Sequence, residues 1–290
     1  MRRRFINTKS FEKNKITCTL KSGITMTAWI YSDYFDDSQI TSMRVNGVLV
    51  EKRPYIDVAP DKEYVIEITF GELYSLGHLF FETHVSSVSG LETLDTKNVI
   101  DMESAFSRVK FDIPNLDMWD ISNVQTMQHM FEENIHITSS PFTKLHDVLP
   151  SDRCYTNMFY DCRGLIKAPE LPAKVLTNRC YYQMFYNCFN LNYIKMLATD
   201  ISASDCLSNW VKGVPTTGTF VKSKDATWDV RGANGIPEGW TVVNDGEEEG
   251  GNDFGIEFPL YLTFDRCESS WGVETCYRDA DEIGVKVYNC

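Results

Sequence analysis

The chain has 290 residues, of which 13% are aromatic, and its formal net charge is −13 at pH 7. A chain of this length and aromatic content can bury a sizeable core, which excludes disorder over most of its length. The excess of acidic over basic residues argues against binding to nucleic acid, because phosphate contacts need an excess of lysine and arginine.

The N-terminus is locally basic, since Arg2, Arg3 and Arg4 follow the first methionine. We interpret these three residues as an interaction surface for an acidic neighbouring protein. The next segment, INTKSFEKNK, is polar and predicts no signal peptide. No run of the chain approaches the roughly 20 apolar residues of a membrane span. We therefore expect assembly in a cytosol, no membrane insertion and mostly reduced cysteines.

Strands are predicted over residues 17–70, where β-branched and aromatic residues alternate with polar ones. The stretch RVNGVLV contains Asn46-Gly47, a dipeptide typical of the type I′ turn that joins two antiparallel strands. Residues 1–72 are therefore predicted to form a sandwich-like antiparallel β-domain, which we expect to mediate attachment.

Repeats of 25 to 28 residues occupy residues 73–213, and the decamers RCYTNMFYDC and RCYYQMFYNC share seven of ten positions. Each unit is predicted to hold a short helix of little more than one turn and one extended segment, so the chain is predicted to be α+β. The side chains that we expect in the stacked core are phenylalanines and cysteines of successive units: Phe81, Phe106, Phe131, Cys154, Phe159, Cys162, Cys180, Phe185, Cys188 and Cys206.

The repeats stop at about residue 214, and the segment up to residue 243 is predicted to cap them. Residues 244–255 have the composition of a linker, and residues 256–290 are predicted to form a β-rich docking or oligomerisation module. From position 245 onward the chain holds twelve acidic and three basic residues. This acidic tail is too small to bury a core alone, so we expect it to dock on its own repeats, on a second copy in a homodimer or homotrimer, or on a partner. Cys267 and Cys276 could face each other across a hairpin, and whether they form a disulfide is left open.

The segment DISNVQTMQHMF, at residues 120–131, resembles the repeat signature of BspA-type leucine-rich repeat proteins, and the resemblance extends over residues 73–243. It implies a leucine-rich repeat solenoid with a C-terminal cap. The family includes secreted bacterial adhesins and virion proteins of phages that infect gut Bacteroidales, such as crAss-like phages.

The β-domain before the repeats, the acidic tail and the missing signal peptide depart from the adhesins. The resemblance therefore implies a non-enzymatic virion-surface protein, a capsid (head) fibre or decoration protein whose partners are capsid or other virion proteins. Three alternatives remain open: a tail receptor-binding protein that grips a host glycan, a bacterial BspA-like surface adhesin, and an enzyme that cleaves glycans.

The paired cysteines of the decamers are eight residues apart, a spacing unlike that of zinc sites, and buried thiols packed as small apolar side chains are favoured. Motifs for a nucleophile, a phosphate loop or a dinucleotide are absent, so no catalytic, metal or cofactor site is predicted.

The extended segments LIKAPEL (165–171) and LNYIKML (191–197) suggest one interaction surface. Their leucines and other apolar residues are expected to point inward, which leaves polar side chains on the outer face. The alternative is an ordinary solvated sheet face. The residues expected to face outward are Lys167, Glu170, Tyr193 and Lys195.

Overall fold

The computed structural model describes residues 14–23 and 26–246, together with the backbone of residues 267–270 and 273–276. The chain divides into two compact units, one ending at Glu247 and the other beginning at Glu248.

The N-terminal part of the first unit is made of short strands. Alternate residues of the two longest strands, among them Ile16, Cys18, Ile66 and Ile68, are buried, because one face of the sheet covers a core. Five strands form an antiparallel sheet in the order β4-β3-β6-β1-β7, and β2 pairs with β5. The strands are β1 (Lys15–Ser22), β2 (Met26–Trp29), β3 (Ile40–Val45), β4 (Val48–Val50), β5 (Tyr55–Val58), β6 (Lys62–Phe70) and β7 (Ser87–Ser89).

The predicted hairpin at Asn46-Gly47 is confirmed. Strands β3 and β4 pair in an antiparallel arrangement on either side of this dipeptide. Both residues have positive φ, 50° at Asn46 and 79° at Gly47, as a type I′ turn requires.

The repeats form coils stacked in parallel, so that each coil bonds to the next one along the chain. Parallel bridges join Ser75 to Asp101 and Asp101 to Thr126 in successive coils. Nearer the C-terminus the same arrangement becomes a parallel sheet in the order β10-β9-β8. Its strands are β8 (Tyr193–Met196), β9 (Thr219–Lys222) and β10 (Thr241–Asn244).

The prediction of an α+β fold, with a short α-helix in each leucine-rich repeat, is wrong. The described residues contain no α-helix, and their only helical segments are two 3-10 helices, Asp37–Gln39 and Leu91–Thr93. The structure is largely β, and the decamers that were expected to be helical are runs of tight turns.

The hydrogen bonds of the decamers explain why they are not helical. In the second decamer the N–H of Gln183 donates to the carbonyl oxygen of Ser208 in the next coil, at 3.0 Å, whereas the N–H of Met184 donates three residues back to Tyr181, at 3.1 Å. This alternation continues along the decamer. An α-helix would direct every N–H four residues back, so it would leave no donors for the neighbouring coil. The coil-to-coil bonds replace the helix.

A column of stacked phenylalanine rings runs through the coils, and it starts one residue earlier than predicted. Phe80, not Phe81, is fully buried and stacks on Phe106, with ring centroids 5.8 Å apart. Phe81 is partly exposed and packs against His78 and Arg108 instead. The first step of the column is therefore 26 residues. We call this set the phenylalanine column: Phe80, Phe106, Phe131, Phe159 and Phe185.

Both ends of the stack are covered within the first unit. At the N-terminal end the N–H of His84 donates to the carbonyl oxygen of Trp29, and β7 pairs with β1. At the C-terminal end Trp210 packs against Phe185, and its indole N–H donates to the carbonyl oxygen of Gly235, at 2.8 Å. These contacts shield from water the core faces that the first and last coils of a stack otherwise expose.

The second unit is described only in part. Its strands β11 (Cys267–Ser270) and β12 (Val273–Cys276) pair antiparallel, and the register places Cys267 opposite Cys276. A disulfide between them is left open by the sequence, and their side chains lie outside the described part of the chain.

Candidate functional site

The extended segments of the coils carry a groove on their outer face. Parallel bridges join Ser139 to Lys167 and Lys167 to Tyr193, so residues of three coils lie side by side. The groove has a volume of about 430 Å³. It is lined by Asn115, Ser139, Ser140, Phe142, Thr143, Lys167, Ala168, Glu170, Tyr193 and Lys195.

The alternation of the extended segments directs the polar side chains into this groove. In β8 the exposure alternates, with Ile194 and Met196 fully buried and Tyr193 and Lys195 partly exposed. In the preceding coil Leu165 and Leu171 are buried. The core therefore fixes which side chains face outward, and the groove gathers all four residues that the sequence placed on the outer face.

Lys167 and Tyr193, which both line the groove, contact each other. The Nζ atom of Lys167 lies 5.0 Å from the ring centroid of Tyr193, within the range of a cation–π interaction. Lys167 is exposed, and no carboxylate of the described residues forms an ion pair with it. This ammonium group is therefore held over the ring, and no carboxylate of the described residues lies within ion-pair distance of it.

Lys195, by contrast, is neutralised by two carboxylates. Its Nζ atom lies 3.0 Å from Asp245 and 3.5 Å from Glu170. The hydrogen bond with Asp245, helped by the charges of both carboxylates, raises the pKa of Lys195. Lys195 therefore stays protonated, and its role is to tie Asp245 to the sheet.

One end of the groove is ordered by a carboxylate from an earlier coil. The backbone N–H of Thr143 donates to Oδ1 of Asp117, at 2.7 Å, and the Thr143 hydroxyl donates to Oδ2. Burial alone would raise the pKa of Asp117, but the hydrogen bonds from Thr143 and Asn115 outweigh it and lower the pKa. The charged carboxylate thus fixes the position of the Thr143 hydroxyl at the groove.

Part of this site was not visible in the sequence. Ser139, Phe142 and Thr143 come from the coil where the phenylalanine column steps by 28 residues, from Phe131 to Phe159. Because this repeat is longer than its neighbours, the segment does not align with the outward positions of the other repeats, and the alignment did not identify its residues. The remaining signal was composition, because Ser139, Ser140 and Thr143 form a short hydroxyl-rich stretch.

The cysteines of the repeats lie in the core and do not line the groove. Cys154, Cys162, Cys180, Cys188 and Cys206 are all buried, and none of them forms a disulfide. Burial raises the pKa of each thiol, to about 12 for Cys180. The neutral thiols of Cys162 and Cys188 donate to the carbonyl oxygens of Phe131 and Phe159, at 2.9 and 3.1 Å. These thiols therefore act as hydrogen-bond donors between coils.

The described residues contain no group of three or more His, Cys, Asp or Glu side chains arranged to hold a metal ion. No helix in this part of the chain is long and apolar enough to cross a membrane. Arg2, Arg3 and Arg4 lie outside the described residues, so the proposed basic surface stays a prediction.

Residues 74–195 match the model of the family DUF285, described as "Mycoplasma protein of unknown function". The chain therefore carries a DUF285 domain. No curated protein and no solved structure matches the chain. The match supports a BspA-like repeat protein but not the assignment to a phage. Every residue that lines the groove lies within the DUF285 domain.

Proposed function

We propose that this protein is a non-enzymatic structural protein of a phage virion surface, a capsid fibre or decoration protein that presents its DUF285 domain for assembly and adhesion. The resemblance to virion proteins of phages that infect gut Bacteroidales motivates the location. The observation that carries the structural role is the stack of coils, in which one column of rings continues from Phe80 to Phe185 and both ends are covered.

A scaffold of this kind supports adhesion because its coils are joined by two independent sets of contacts. Backbone hydrogen bonds link each decamer to the next, and stacked rings fill the core between them. Each coil is thus fixed relative to its neighbours, and a side surface such as the groove is presented in one geometry. A preformed surface loses little entropy when it binds.

The location is tested on purified virions. An antibody against this chain should label the heads in immunogold electron microscopy, and mass spectrometry of gradient-purified virions should detect the chain in stoichiometric amounts. Labelling of tails would replace the capsid role with a receptor-binding role. Labelling of host cells without virions would overturn the proposal in favour of a bacterial surface adhesin.

Two further parts of the proposal have their own measurements. We propose a homodimer or homotrimer, and light scattering of the full chain should give two or three times the mass of 33.3 kDa. The non-enzymatic role requires that the purified chain does not depolymerise host capsular polysaccharide. Release of reducing ends above a heat-denatured control would contradict that part.

A further inference from the structure

The groove has an uneven distribution of charge. Lys195 is balanced by Asp245 and Glu170, whereas Lys167 has no ion-pair partner among the described residues. Lys62 also lacks an ion-pair partner among the described residues, and Lys167 differs from it in its contact with an aromatic ring. The contact with the ring of Tyr193 restrains the ammonium within the groove and lowers the entropy lost when an anion binds there.

Hydroxyl and amide groups surround this cation. The Ser140 hydroxyl oxygen accepts the N–H of Phe142, at 3.2 Å, and so keeps its own proton free to donate. The Thr143 hydroxyl donates to Asp117 and keeps its lone pairs to accept. The Asn115 amide is bonded to Asp117, since its Oδ1 accepts the N–H of Asp117, at 3.0 Å, and its Nδ2 donates to Oδ2 of Asp117, at 2.9 Å, which leaves one amide N–H to donate to a ligand. Such a lining offers paired donors and acceptors to a ligand that is itself rich in hydroxyl groups.

The floor of the groove offers little to a peptide strand. Its backbone N–H groups already donate to neighbouring coils: Ala168 to the oxygen of Tyr193, Glu170 to Thr143, and Leu171 to Lys195. Strand addition needs an unpaired edge with free backbone groups, which this floor does not present. Nucleic acid is also a poor fit, because affinity for a phosphate chain needs many cations.

We propose that the groove binds an acidic saccharide, with its carboxylate or sulfate at Nζ of Lys167 and its hydroxyl groups on Ser140, Thr143 and Asn115. Tyr193 keeps the ammonium in place and supplies an aromatic surface beside the sugar ring. This inference rests on the proposed function, since it names the class of ligand that the surface adheres to.

The test is a titration of the full chain by calorimetry with four probes: oligogalacturonate, heparin-derived oligosaccharides, neutral malto-oligosaccharides and a poly-glutamate peptide. The two acidic saccharides should bind, and the neutral one should bind about threefold to fivefold more weakly, because it lacks the charge pair with Lys167. Binding of the acidic saccharides should weaken as salt is raised. Heparin oligosaccharides carry carboxylates as well as sulfates, so binding of oligogalacturonate assigns the carboxylate, and binding of the heparin oligosaccharides alone assigns the sulfate.

Variants identify the site. Lys167→Gln should weaken binding of the acidic saccharides roughly threefold to fivefold, the range for an exposed charge pair, without affecting the neutral probe. Tyr193→Ala should weaken all saccharides, and Tyr193→Phe should retain most of the affinity. Lys62→Gln, at an exposed lysine of β6, is the matched control and should change nothing. Circular dichroism and the midpoint of thermal unfolding show that each variant is folded.

Equal binding of acidic and neutral saccharides, or equal affinities of Lys167→Gln and Lys62→Gln, would overturn the proposal. Binding of poly-glutamate without any saccharide would also overturn it and assign the groove to an acidic protein. The proposed function is tested separately from this inference. Labelling of heads without saccharide binding would remove only the inference about the ligand. Saccharide binding without labelling of virions would remove only the proposed location.

Discussion

Phe159 lies in the middle of the phenylalanine column, and its truncation is the most direct test of the stack. It is fully buried, with the rings of Phe131 and Phe185 stacked on either side at 5.2 and 5.7 Å. A buried Phe→Ala change costs about 3–5 kcal/mol, and each aromatic pair contributes about 0.5–1.5 kcal/mol. Because Phe159 stacks on two rings, we expect Phe159→Ala to lower the free energy of unfolding by about 5 kcal/mol.

The measurement is urea unfolding followed by circular dichroism, which gives the free energy and the slope with denaturant together. Phe159→Leu keeps most of the apolar volume and loses both ring pairs, so it should cost about 1–3 kcal/mol. Phe189→Ala is the control, since that ring is 48% exposed and should cost less than about 1 kcal/mol. A Phe159→Ala variant within 1 kcal/mol of Phe189→Ala would refute the continuous column.

Three further outcomes are expected. Gln183 has a φ of 50°, so Gln183→Val should cost about 1–2 kcal/mol in urea unfolding while Gln183→Gly is tolerated; equal costs would contradict the turn assignment. The Cys162 thiol, whose pKa burial raises, should react with a disulfide reagent at pH 8 only after unfolding, and rapid labelling of the native chain would count against its burial. NMR titration should place the pKa of His129 above about 6.5, because Glu132 accepts a hydrogen bond from its ring. The same titration should place the pKa of His146 below about 6.5, because burial disfavours its charged form. The reverse order of the two pKa values would contradict both environments.

The two histidines also have opposite effects on stability. The folded pKa of His129 is raised, so its contribution is fully present below the unfolded value of about 6.5 and is lost as pH rises through the folded pKa. The folded pKa of His146 is lowered, so the unfolded state binds its proton first and stability falls as pH drops below about 6.5. His129→Gln should therefore remove the loss of stability that sets in as pH rises above about 6.5. Unfolding curves between pH 5 and 8 measure both effects.

Apolar periodicity predicted the buried residues because the core imposes it directly. Phe106, Phe131 and Phe185 recur at one position of each coil, and every repeat must fill the same space. The outward position of Lys167 and Tyr193 followed for the same reason, since their buried neighbours determine the alternation. These features depend on side chains within one or two repeats, which a sequence displays.

The backbone of the decamers could not be read in the same way. A pattern of buried residues three and four apart is compatible with a helix and also with successive turns. The distinguishing signal was weak: Asn157, Asp161, Asn187 and Asn209 adopt positive φ, and Asn and Asp tolerate that conformation. Arg179 adopts it as well, because bonds to the next coil offset the strain. Those bonds join residues 25 positions apart, so the conformational preferences of neighbouring residues do not predict them.

The ion pair between Lys195 and Asp245 was missed for a related reason. Asp245 belongs to the acidic stretch after the repeats, where composition indicates a linker. The parallel alignment of β8, β9 and β10 brings the start of that stretch, directly after β10, beside the groove. Such a contact follows from the order of strands in the sheet, which no local pattern specifies.

The unequal steps of the phenylalanine column have a consequence for how such chains diversify. Steps of 25, 26 and 28 residues all return a ring to the same place, so additional residues are accommodated on the groove side of a coil. The entropic cost of closing a loop rises only slowly with each added residue. Insertions and deletions there can therefore widen, narrow or re-line the groove while the ring column is inherited unchanged. In related chains, the shape and lining of the groove can therefore change faster than the core that supports it.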